Sequence, residues 1–333
     1  MLNDVSRTFA LTIPQLPDPL GVVVGNAYLL CRISDTIEDE EALSALQKRE
    51  FYERWISVVQ GSHDAHEFAQ DLSSLLNLSA TIHEQDLIVN TPRVIRITQS
   101  FSESQQQILQ RCVNIMADGM AKFQEGATLE GSSDLEHFNN YCYYVAGVVG
   151  EMLTELFCDY SDEIDARKEE LFALASSFGQ GLQMTNILKD MWEDHKRGVC
   201  WLPRNIFLHY DFDLKSLSRE KIDPRFIQGL NTLIGITKHH LNNALKYILL
   251  IPSHETGIRR FCLWALGMAL PTLRRIYNTP TFKSGQEVKI SRRTVKAVVA
   301  STSGLARFDL ALKALFFWLG RNLPLVSPHS DFS

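Results

Sequence analysis

Apolar residues recur about every three to four positions along most of this chain, a spacing that predicts α-helices rather than strands. Asp134, Asp223 and Ser291 stand where helices would begin, and their side chains can cap a helix N-terminus. No run alternates with the two-residue period of a half-buried strand, so we predict an all-α fold. The expected helices cover about residues 20–60, 64–78, 82–90, 93–124, 135–160, 162–196, 224–250, 254–278, 291–301 and 304–320.

The segments between these helices show no interdomain linker. Residues 126–133 and 280–287 are predicted loops and residues 198–203 an extended piece, but none is long and rich in Pro, Gly and Ser. We therefore predict a single domain over residues 1–333. No signal peptide is visible, and no apolar run approaches the roughly 18 residues of a membrane span. The helix at about 304–320 is amphipathic enough for contact with a membrane surface, and a helix that closes the core fits its pattern equally well.

The composition is that of an ordinary globular protein, with 45% hydrophobic and 22% charged residues. A net charge of -6 argues against nucleic acid as a partner, because nucleic-acid binding requires a basic surface. An anionic substrate would need metal ions or local Arg and Lys residues in order to bind. The 6 cysteines form no Cys-x-x-Cys pair and the 10 histidines show no zinc-ligand spacing, which indicates reduced thiols in a cytoplasmic protein.

Two short acidic segments carry the strongest chemical signal. On a helix, Asn186, Asp190 and Asp194 fall four positions apart and line one face, with Glu193 beside them. The segment at 32–39 repeats this design with Asp35, Glu38 and Asp39. Carboxylate oxygens are the ligands that Mg²⁺ prefers, so the two segments predict a cavity whose opposing walls hold magnesium ions.

Each acidic segment taken alone also fits a solvated surface, which is the commoner role of a run of charges. The neighbouring residues favour an interior position. Residues 27–31 are apolar, and residues 179–188 are small, amide-rich and apolar, as expected inside a helical bundle. Carboxylates that continue a buried face need a partner, and metal ions would supply one.

Residues 141–150 place several tyrosines and two glycines on one predicted helix. Glycine within a helix costs about 1 kcal/mol relative to alanine, so Gly147 and Gly150 need a reason. Close helix packing is one explanation, and room for a long apolar ligand is the other. Tyrosine faces stabilise carbocations, and a phenol such as that of Tyr141 can pass a proton. The aromatic residues that fit such a lining or an ordinary core are Phe9, Tyr28, Phe178, Phe261 and Trp264.

Basic residues lie close in sequence to both acidic segments and to the start of the chain. At about 5 Å and an effective dielectric of about 20, one pair of opposite charges is worth about 3 kcal/mol. Such cations would favour a diphosphate, and surface ion pairs are the alternative. They are Arg7, Arg32, Lys189 and Arg197.

A second basic group fits a dinucleotide phosphate, a surface patch or anionic lipid headgroups. It consists of Lys283, Lys289, Arg292 and Arg293. No Gly-x-Gly-x-x-Gly follows a predicted strand, so a Rossmann site is excluded.

In combination, these segments resemble the squalene/phytoene synthase family, the head-to-head trans-prenyltransferases, from Ser6 to about Leu312. The resemblance implies an all-α isoprenoid synthase fold around a central apolar cavity. The first acidic segment and the tyrosine segment are more similar to the squalene-forming than to the phytoene-forming branch. The segments that carry the resemblance are Ser6-Arg-Thr-Phe9, Asp35-Thr-Ile-Glu-Asp39, Tyr141-Cys-Tyr-Tyr-Val-Ala-Gly147, Gln183-Met-Thr-Asn-Ile-Leu-Lys-Asp190-Met-Trp-Glu-Asp194, Arg197-Gly and Trp201-Leu-Pro203.

The resemblance also implies roles for individual residues. The magnesium ligands would be Asp35, Glu38, Asp39, Asn186, Asp190, Glu193 and Asp194, with the four aspartates essential for catalysis. Tyr141 would handle the proton. The residues that bind substrate would be Arg7, Phe9, Tyr28, Arg32, Gln183, Asn186, Lys189, Arg197 and Phe261. Those that bind NADPH would be Lys289, Arg292 and Arg293.

The implied reaction joins two molecules of farnesyl diphosphate through presqualene diphosphate and reduces the product to squalene with NADPH. The segment at 286–293 resembles one associated with NADPH, but the Leu-Trp-Ala-Leu-Gly after Cys262 replaces an Ile-Pro-Gln of eukaryotic relatives. Dehydrosqualene, hydroxysqualene or phytoene is therefore the alternative product. A different class, a helical assembly factor without catalysis, is a further alternative. We expect a monomer in the cytoplasm with peripheral contact at the inner membrane surface.

Overall fold

A computed structural model describes residues 2–6, 8–76, 80–124, 128–330 and 332, without the side chains of Asn3 and Gln124. No β-strand occurs within these ranges, where an isolated parallel β-bridge joins Ser132 and Pro203. The predicted all-α fold is confirmed. The α-helices are α1 Leu2–Val5, α2 Phe9–Thr12, α3 Leu20–Asp39, α4 Ala45–Val59, α5 Ala65–Leu75, α6 Ile82–Val89, α7 Thr91–Thr98, α8 Glu103–Gln124, α9 Leu135–Cys142, α10 Val148–Tyr160, α11 Asp162–Asp165, α12 Lys168–Lys196, α13 Arg204–Leu208, α14 Pro224–Leu250, α15 Thr256–Asn278, α16 Gly285–Val288, α17 Arg292–Leu305 and α18 Asp309–Gly320.

The chain divides into two units. Unit 1 comprises Met1–Gly126 and Glu151–Lys168, and unit 2 comprises Ala127–Gly150 and Glu169–Ser333. The single domain expected from the sequence therefore stays a prediction, and each unit is described by itself below.

Helix α3 supplies much of the core of unit 1. Its residues Leu30, Ile33 and Ile37 are fully buried. The indole Nε1 of Trp55 in α4 donates a hydrogen bond to Ser34 Oγ at 3.1 Å. This contact fixes α4 beside the turn of α3 that precedes the first acidic segment.

Two long helices expected from the sequence are each interrupted, so those predictions were wrong in extent. The expected helix over 20–60 ends at Asp39, because Glu40 adopts an extended conformation and Ser44 and Gln47 form a capping box that starts α4. The expected helix over 93–124 is α7 followed by α8, and Ser102 Oγ accepts from the backbone N–H of Gln105 at this junction. The spacing of apolar residues continues through both breaks, but the hydrogen bonds within the helix stop there.

Helix α3 is also long and apolar enough, by length and composition, to cross a membrane. The expectation that no apolar run reaches that length was therefore too strong. In the structure 67% of its apolar window is buried, and a core helix passes the same test, so this finding is weak evidence for a membrane span.

In unit 2, glycines allow the tyrosine segment to lie directly against α12. A Cβ on Gly150 would stand 2.2 Å from the carbonyl oxygen of Ala175, and one on Gly179 would stand 2.0 Å from that of Ala146. Close helix packing, the first of the two explanations offered for the glycines, accounts for Gly150. Between α9 and α10 the residues Tyr143–Gly147 form a π-helical turn, a feature that is frequent at functional sites.

The remaining helices of unit 2 follow the predicted order with some corrections. Asp223 and Ser291 cap α14 and α17 as predicted, whereas α17 continues to Leu305. The predicted loop at 280–287 contains the short helix α16. The expected helix over 162–196 is α11, which lies in unit 1, followed by α12, and α13 was missed because its five residues are too few for a periodic pattern.

Candidate active site

Arg32 organises the first acidic segment at the C-terminal end of α3. Its Nη1 lies 3.4 Å from Asp35 Oδ2, and its Nη2 lies 4.0 Å from Asp39 Oδ2 and also contacts Glu84 of α6. Lys48 of α4 donates to the backbone carbonyl of Glu38. Three carboxylates, those of Asp35, Asp39 and Glu84, are thus grouped by sequence and packing around one guanidinium.

Burial shifts the pKa values of this group. Desolvation raises the pKa of Asp35 to about 6, with Arg32 acting in the opposite direction and Asp39 adding to the rise. Burial alone would lower the pKa of Arg32, but Asp35 and Glu84 outweigh it and raise that pKa. A single guanidinium therefore does not fully compensate the carboxylates, and an additional cation would be stabilised here.

Glu84 was not predicted as part of this site. Thr81 and Glu84 form a capping box at the start of α6, which is visible in the sequence. The contact between Glu84 and Arg32 spans 52 residues and has no local signature.

The predicted substrate residues near the start of the chain also meet in unit 1. The rings of Phe9 and Tyr28 are 5.1 Å apart at an interplanar angle of 40°, and Tyr28 Oη donates to the carbonyl of Val5. The backbone N–H of Phe9 donates to Ser6 Oγ at 2.9 Å. Arg7, predicted to bind diphosphate, lies outside the described residues.

The second acidic segment forms the last turns of α12. The Nζ of Lys189 lies 3.0 Å from Asp190 Oδ2, and Arg197 Nη2 lies 2.5 Å from Asp194 Oδ1. Asp194 is buried, whereas the side chain of Asp190 keeps 41% of its surface exposed. Burial raises the pKa of Asp190, with Lys189 acting against the rise. Of the predicted residues one and two turns earlier, Asn186 is exposed and Gln183 half-buried.

Glu193 meets a segment that the sequence did not connect with it. The backbone N–H of Gly285 lies 3.3 Å from each carboxylate oxygen of Glu193. One residue earlier in α12, Trp192 donates from Nε1 to the carbonyl of Phe282 at 2.7 Å. No sequence signal points to these contacts, which span about ninety residues.

Tyr141 is buried and held by an aromatic stack. Its ring lies 3.9 Å from the ring of Trp201 at an interplanar angle of 6°. Trp201 belongs to the predicted extended piece, next to the β-bridge at Pro203. The sequence named Trp201 within a family segment but not as the partner of Tyr141.

The other predicted aromatic residues of unit 2 are buried. Phe178 makes an edge contact with Tyr247 at 5.6 Å, and Trp264 donates from Nε1 to Ser303 Oγ. Phe261 is 5% exposed on the same helix as Trp264. These positions fit both explanations given above, an apolar lining and an ordinary core.

Of the residues predicted to bind NADPH, Lys289 directly follows α16, and Arg292 and Arg293 begin α17. Lys289, Arg292 and Arg293 are exposed, and Ser291 caps the helix by accepting from the N–H of Thr294. Two arginines in the first turn oppose the helix macrodipole, and an anion bound there would relieve that opposition.

The donor groups of both acidic segments fit magnesium. Within the described part of the chain, no three His, Cys, Asp or Glu side chains are gathered closely enough to hold a metal ion by themselves. Mg²⁺ usually takes one or two carboxylates, with water and substrate phosphate completing its octahedron. Asp35 and Asp190 have the oxygen donors that such an ion requires, and their burial, which raises the pKa of each, would favour an added cation beside them.

The fold and the two acidic segments define a class of helical prenyl-transferring enzymes. The chain belongs to the squalene/phytoene synthase family, whose sequence model matches residues 2–294 and whose members are prenyltransferases. The fold is that of the isoprenoid synthases. A solved structure titled as the complex of TcSQS with the ligand BPH1237 superimposes with a TM-score of 0.75 at 23% identity, over 99% of this chain and 91% of that one.

Curated relatives include the squalene synthase ERG9 of Candida albicans, which is 29% identical over 316 residues. Squalene synthase 1 of Arabidopsis thaliana is 30% identical over 317 residues. Each alignment covers 92% of this chain, and the chain spans 66% of the length of the Candida protein and 70% of the Arabidopsis protein.

Proposed function

We propose that this protein joins two molecules of farnesyl diphosphate head to head and reduces the product to squalene. The observation that carries the proposal is the pair of acidic segments, each with basic partners and each containing a carboxyl group whose burial favours an added cation. The curated relatives named squalene synthases support the choice of product.

The basic residues beside the acidic segments would bind the diphosphate. Arg32 and Lys189 each lie within 4.0 Å of a carboxylate, so they are already placed where negative charge collects. When substrate and metal bind, these cations would exchange part of their contact with carboxylates for contact with phosphate oxygens. Arg197, with 41% of its side chain exposed, would do the same from the end of α12.

Asp35 and Asp39 in unit 1, and Asp190 and Asp194 in unit 2, would hold magnesium, which would supply positive charge that stabilises a departing diphosphate. The carbon–oxygen bond of one farnesyl diphosphate breaks, and the double bond of the second molecule attacks the allylic cation. Loss of a proton then closes the cyclopropane of presqualene diphosphate. We assign the transfer of that proton to the phenol of Tyr141, whose ring is fixed by the stack on Trp201, with the departing diphosphate as the final acceptor.

The second half-reaction requires a hydride donor. The carbon–oxygen bond of presqualene diphosphate would break to release the second diphosphate, the resulting cation would rearrange, and NADPH would supply the hydride that quenches it, leaving NADP⁺. Lys289, Arg292 and Arg293 would bind its phosphates, because they place cations at the capped N-terminus of α17.

Incubation with farnesyl diphosphate and Mg²⁺, with and without NADPH, tests the proposal by mass spectrometry of the products. We expect squalene only when NADPH is present and presqualene diphosphate or its unreduced derivatives in its absence. A matched incubation with NADH in place of NADPH controls for nonspecific reduction. Dehydrosqualene, hydroxysqualene or phytoene formed regardless of NADPH would contradict the reductive step while retaining the prenyl coupling.

We also propose that α18 contacts the surface of a membrane that contains anionic lipid. The helix buries Leu312 and Phe316 in unit 2. Its outer face and the residues beside it expose large apolar side chains and cations together, a combination typical of interfacial helices. These are Phe308, Leu310, Phe317, Trp318 and Leu325, with Arg307, Lys313 and Arg321.

Charge supports this choice of partner. Within residues 307–325 the sequence contains one acidic residue, Asp309, and Arg259 holds its carboxylate at 2.6 Å. The guanidinium groups of Arg274 and Arg321 lie 5.9 Å and 5.7 Å from the ring of Trp318. Phosphate headgroups would meet cations at the same depth as the aromatic rings. A cytoplasmic protein of this kind would release its apolar product next to lipid.

Replacing Phe317 with Ser is expected to weaken binding to vesicles of phosphatidylcholine and phosphatidylglycerol roughly ten-fold, because burial of an aromatic side chain in lipid is lost. Cosedimentation measures this affinity. Leu46→Ser is the matched control, since Leu46 is 74% exposed and Phe317 is 75% exposed. Equal losses in both variants, or wild-type binding that is the same without phosphatidylglycerol, would contradict the proposed surface.

A further inference from the structure

Residues 282–289, called the strap below, are tied to two helices of unit 2. At its start, Phe282 is fully buried and its carbonyl accepts from Trp192 of α12. At its end, Arg275 of α15 donates to the carbonyls of Glu287 and Lys289 at 3.0 Å and 2.8 Å. The strap is thus fixed on both sides of its central residue, Gly285.

The backbone of Gly285 lies against the second acidic segment. A Cβ on this residue would stand 2.8 Å from Asp190 Oδ1, 3.0 Å from the carbonyl oxygen of Lys189 and 3.5 Å from Glu193 Oε2. The carbonyl belongs to the backbone of α12 and cannot rotate away. A side chain at position 285 would therefore displace either the strap or the Asp190 carboxylate.

The same contact orients Glu193 without neutralising it. The N–H of Gly285 is shared between two oxygens at 3.3 Å each, which is long for a hydrogen bond and carries no net charge. Asp194, by contrast, has a guanidinium at 2.5 Å. Glu193 therefore retains charge that a metal ion can use, while the direction of its carboxylate is set by the strap.

We propose that Gly285 is a positioning residue for metal and diphosphate binding on α12. Its N–H directs the carboxylate of Glu193, and its lack of a side chain leaves room for the carboxylate of Asp190. Binding of metal and diphosphate to this face of α12 is thereby coupled to the strap, which carries Lys283 and Lys289. The inference rests on the proposed function, since that function assigns diphosphate and Mg²⁺ to these two carboxylates.

Binding of Mg²⁺ with inorganic pyrophosphate, measured by calorimetry on the full chain, tests this proposal without turnover. Gly285→Ala is expected to lower the affinity on the order of ten-fold, because the new methyl group moves Asp190 or the strap. Gly304→Ala is the matched control: it makes the same change in the same unit, and a Cβ there meets nothing within 4 Å. The affinity of the Gly304→Ala variant for Mg²⁺ and pyrophosphate is expected to equal that of the wild type.

Hydrogen exchange gives a second readout that a purely structural role would not move. In the wild type, Mg²⁺ and pyrophosphate are expected to change deuterium uptake within residues 282–289, and Gly285→Ala should reduce that change. Arg275 is exposed, and Arg275→Gln removes its hydrogen bonds to the far end of the strap. This variant is expected to lower the affinity several-fold. This variant decides the question if Gly285→Ala does not fold.

The outcomes separate this inference from the proposed function. Wild-type protein that binds Mg²⁺ and pyrophosphate, together with Gly285→Ala or Arg275→Gln variants of unchanged affinity, would overturn the role of the strap alone. Wild-type protein that binds neither would contradict the proposed function and with it this inference.

Discussion

Replacing Asp190 with Asn is expected to reduce product formation on the order of 10²–10³-fold while helix content stays unchanged. The amide keeps the shape of the carboxylate but removes the negative charge that an added cation needs. Burial raises the pKa of Asp190 because it disfavours the charged form of the side chain. Replacing that charge with a neutral amide therefore does not destabilise the fold through desolvation. Asp35→Asn in unit 1 is expected to have an effect of the same order, for the same reason.

Activity is measured as squalene or presqualene diphosphate formed from farnesyl diphosphate, and helix content by circular dichroism. Asp211→Asn is the control in unit 2, because Asn tolerates the positive φ of 56° found there. Asp118→Asn is the control in unit 1, where the carboxylate forms an exposed pair with Lys122. Full activity in both Asp190→Asn and Asp35→Asn would refute the metal-binding role. A wild-type chain without prenyl coupling would favour the helical assembly factor instead.

Replacing Arg259 with Met is expected to lower the free energy of unfolding by about 3–5 kcal/mol. Arg259 is 1% exposed and donates to the carbonyls of Ile251 and Ala306 at 2.9 Å and to Asp309 at 2.6 Å. It therefore joins the end of α14 to the junction between α17 and α18. Methionine fills similar space but leaves those carbonyls buried without a donor.

The expected change corresponds to a fall in the midpoint of thermal unfolding of roughly 4–7 °C, measured by calorimetry. Arg225→Met is the matched control: Arg225 has a side chain that is 53% exposed and pairs with Asp223, so its loss is expected to leave the unfolding temperature nearly unchanged. If the two variants unfold at the same temperature, the buried guanidinium does not have the structural role assigned to it.

The interior helices were largely predictable because their signals are local. Helix α14 begins where Asp223 and Pro224 indicated and ends where the chain reaches Pro252. Predictions failed where a helix stops without interrupting the apolar spacing. Ser44 and Ser102 stop or start helices through side-chain hydrogen bonds that a pattern of hydrophobic positions does not report.

The contacts of the candidate site likewise include some that the sequence predicted and some that it did not. Pairs three positions apart, such as Arg32 with Asp35 within α3 and Asp194 with Arg197 at the end of α12, follow from local geometry and were expected near each other. The partners of Glu193 and Tyr141 come from segments far away in sequence. Their contacts depend on how helices pack, which one segment alone cannot specify.

By itself the sequence determined the all-α fold, the two acidic segments, their nearby cations and the family to which the chain belongs. All of these depend on residue type and on spacing within one helix. Only the tertiary structure decided that Glu84 shares Arg32, that Trp201 stacks on Tyr141 and that Gly285 meets Glu193. Those contacts form because burial of apolar helix faces brings distant segments within hydrogen-bonding distance, and no local pattern encodes which segments will meet.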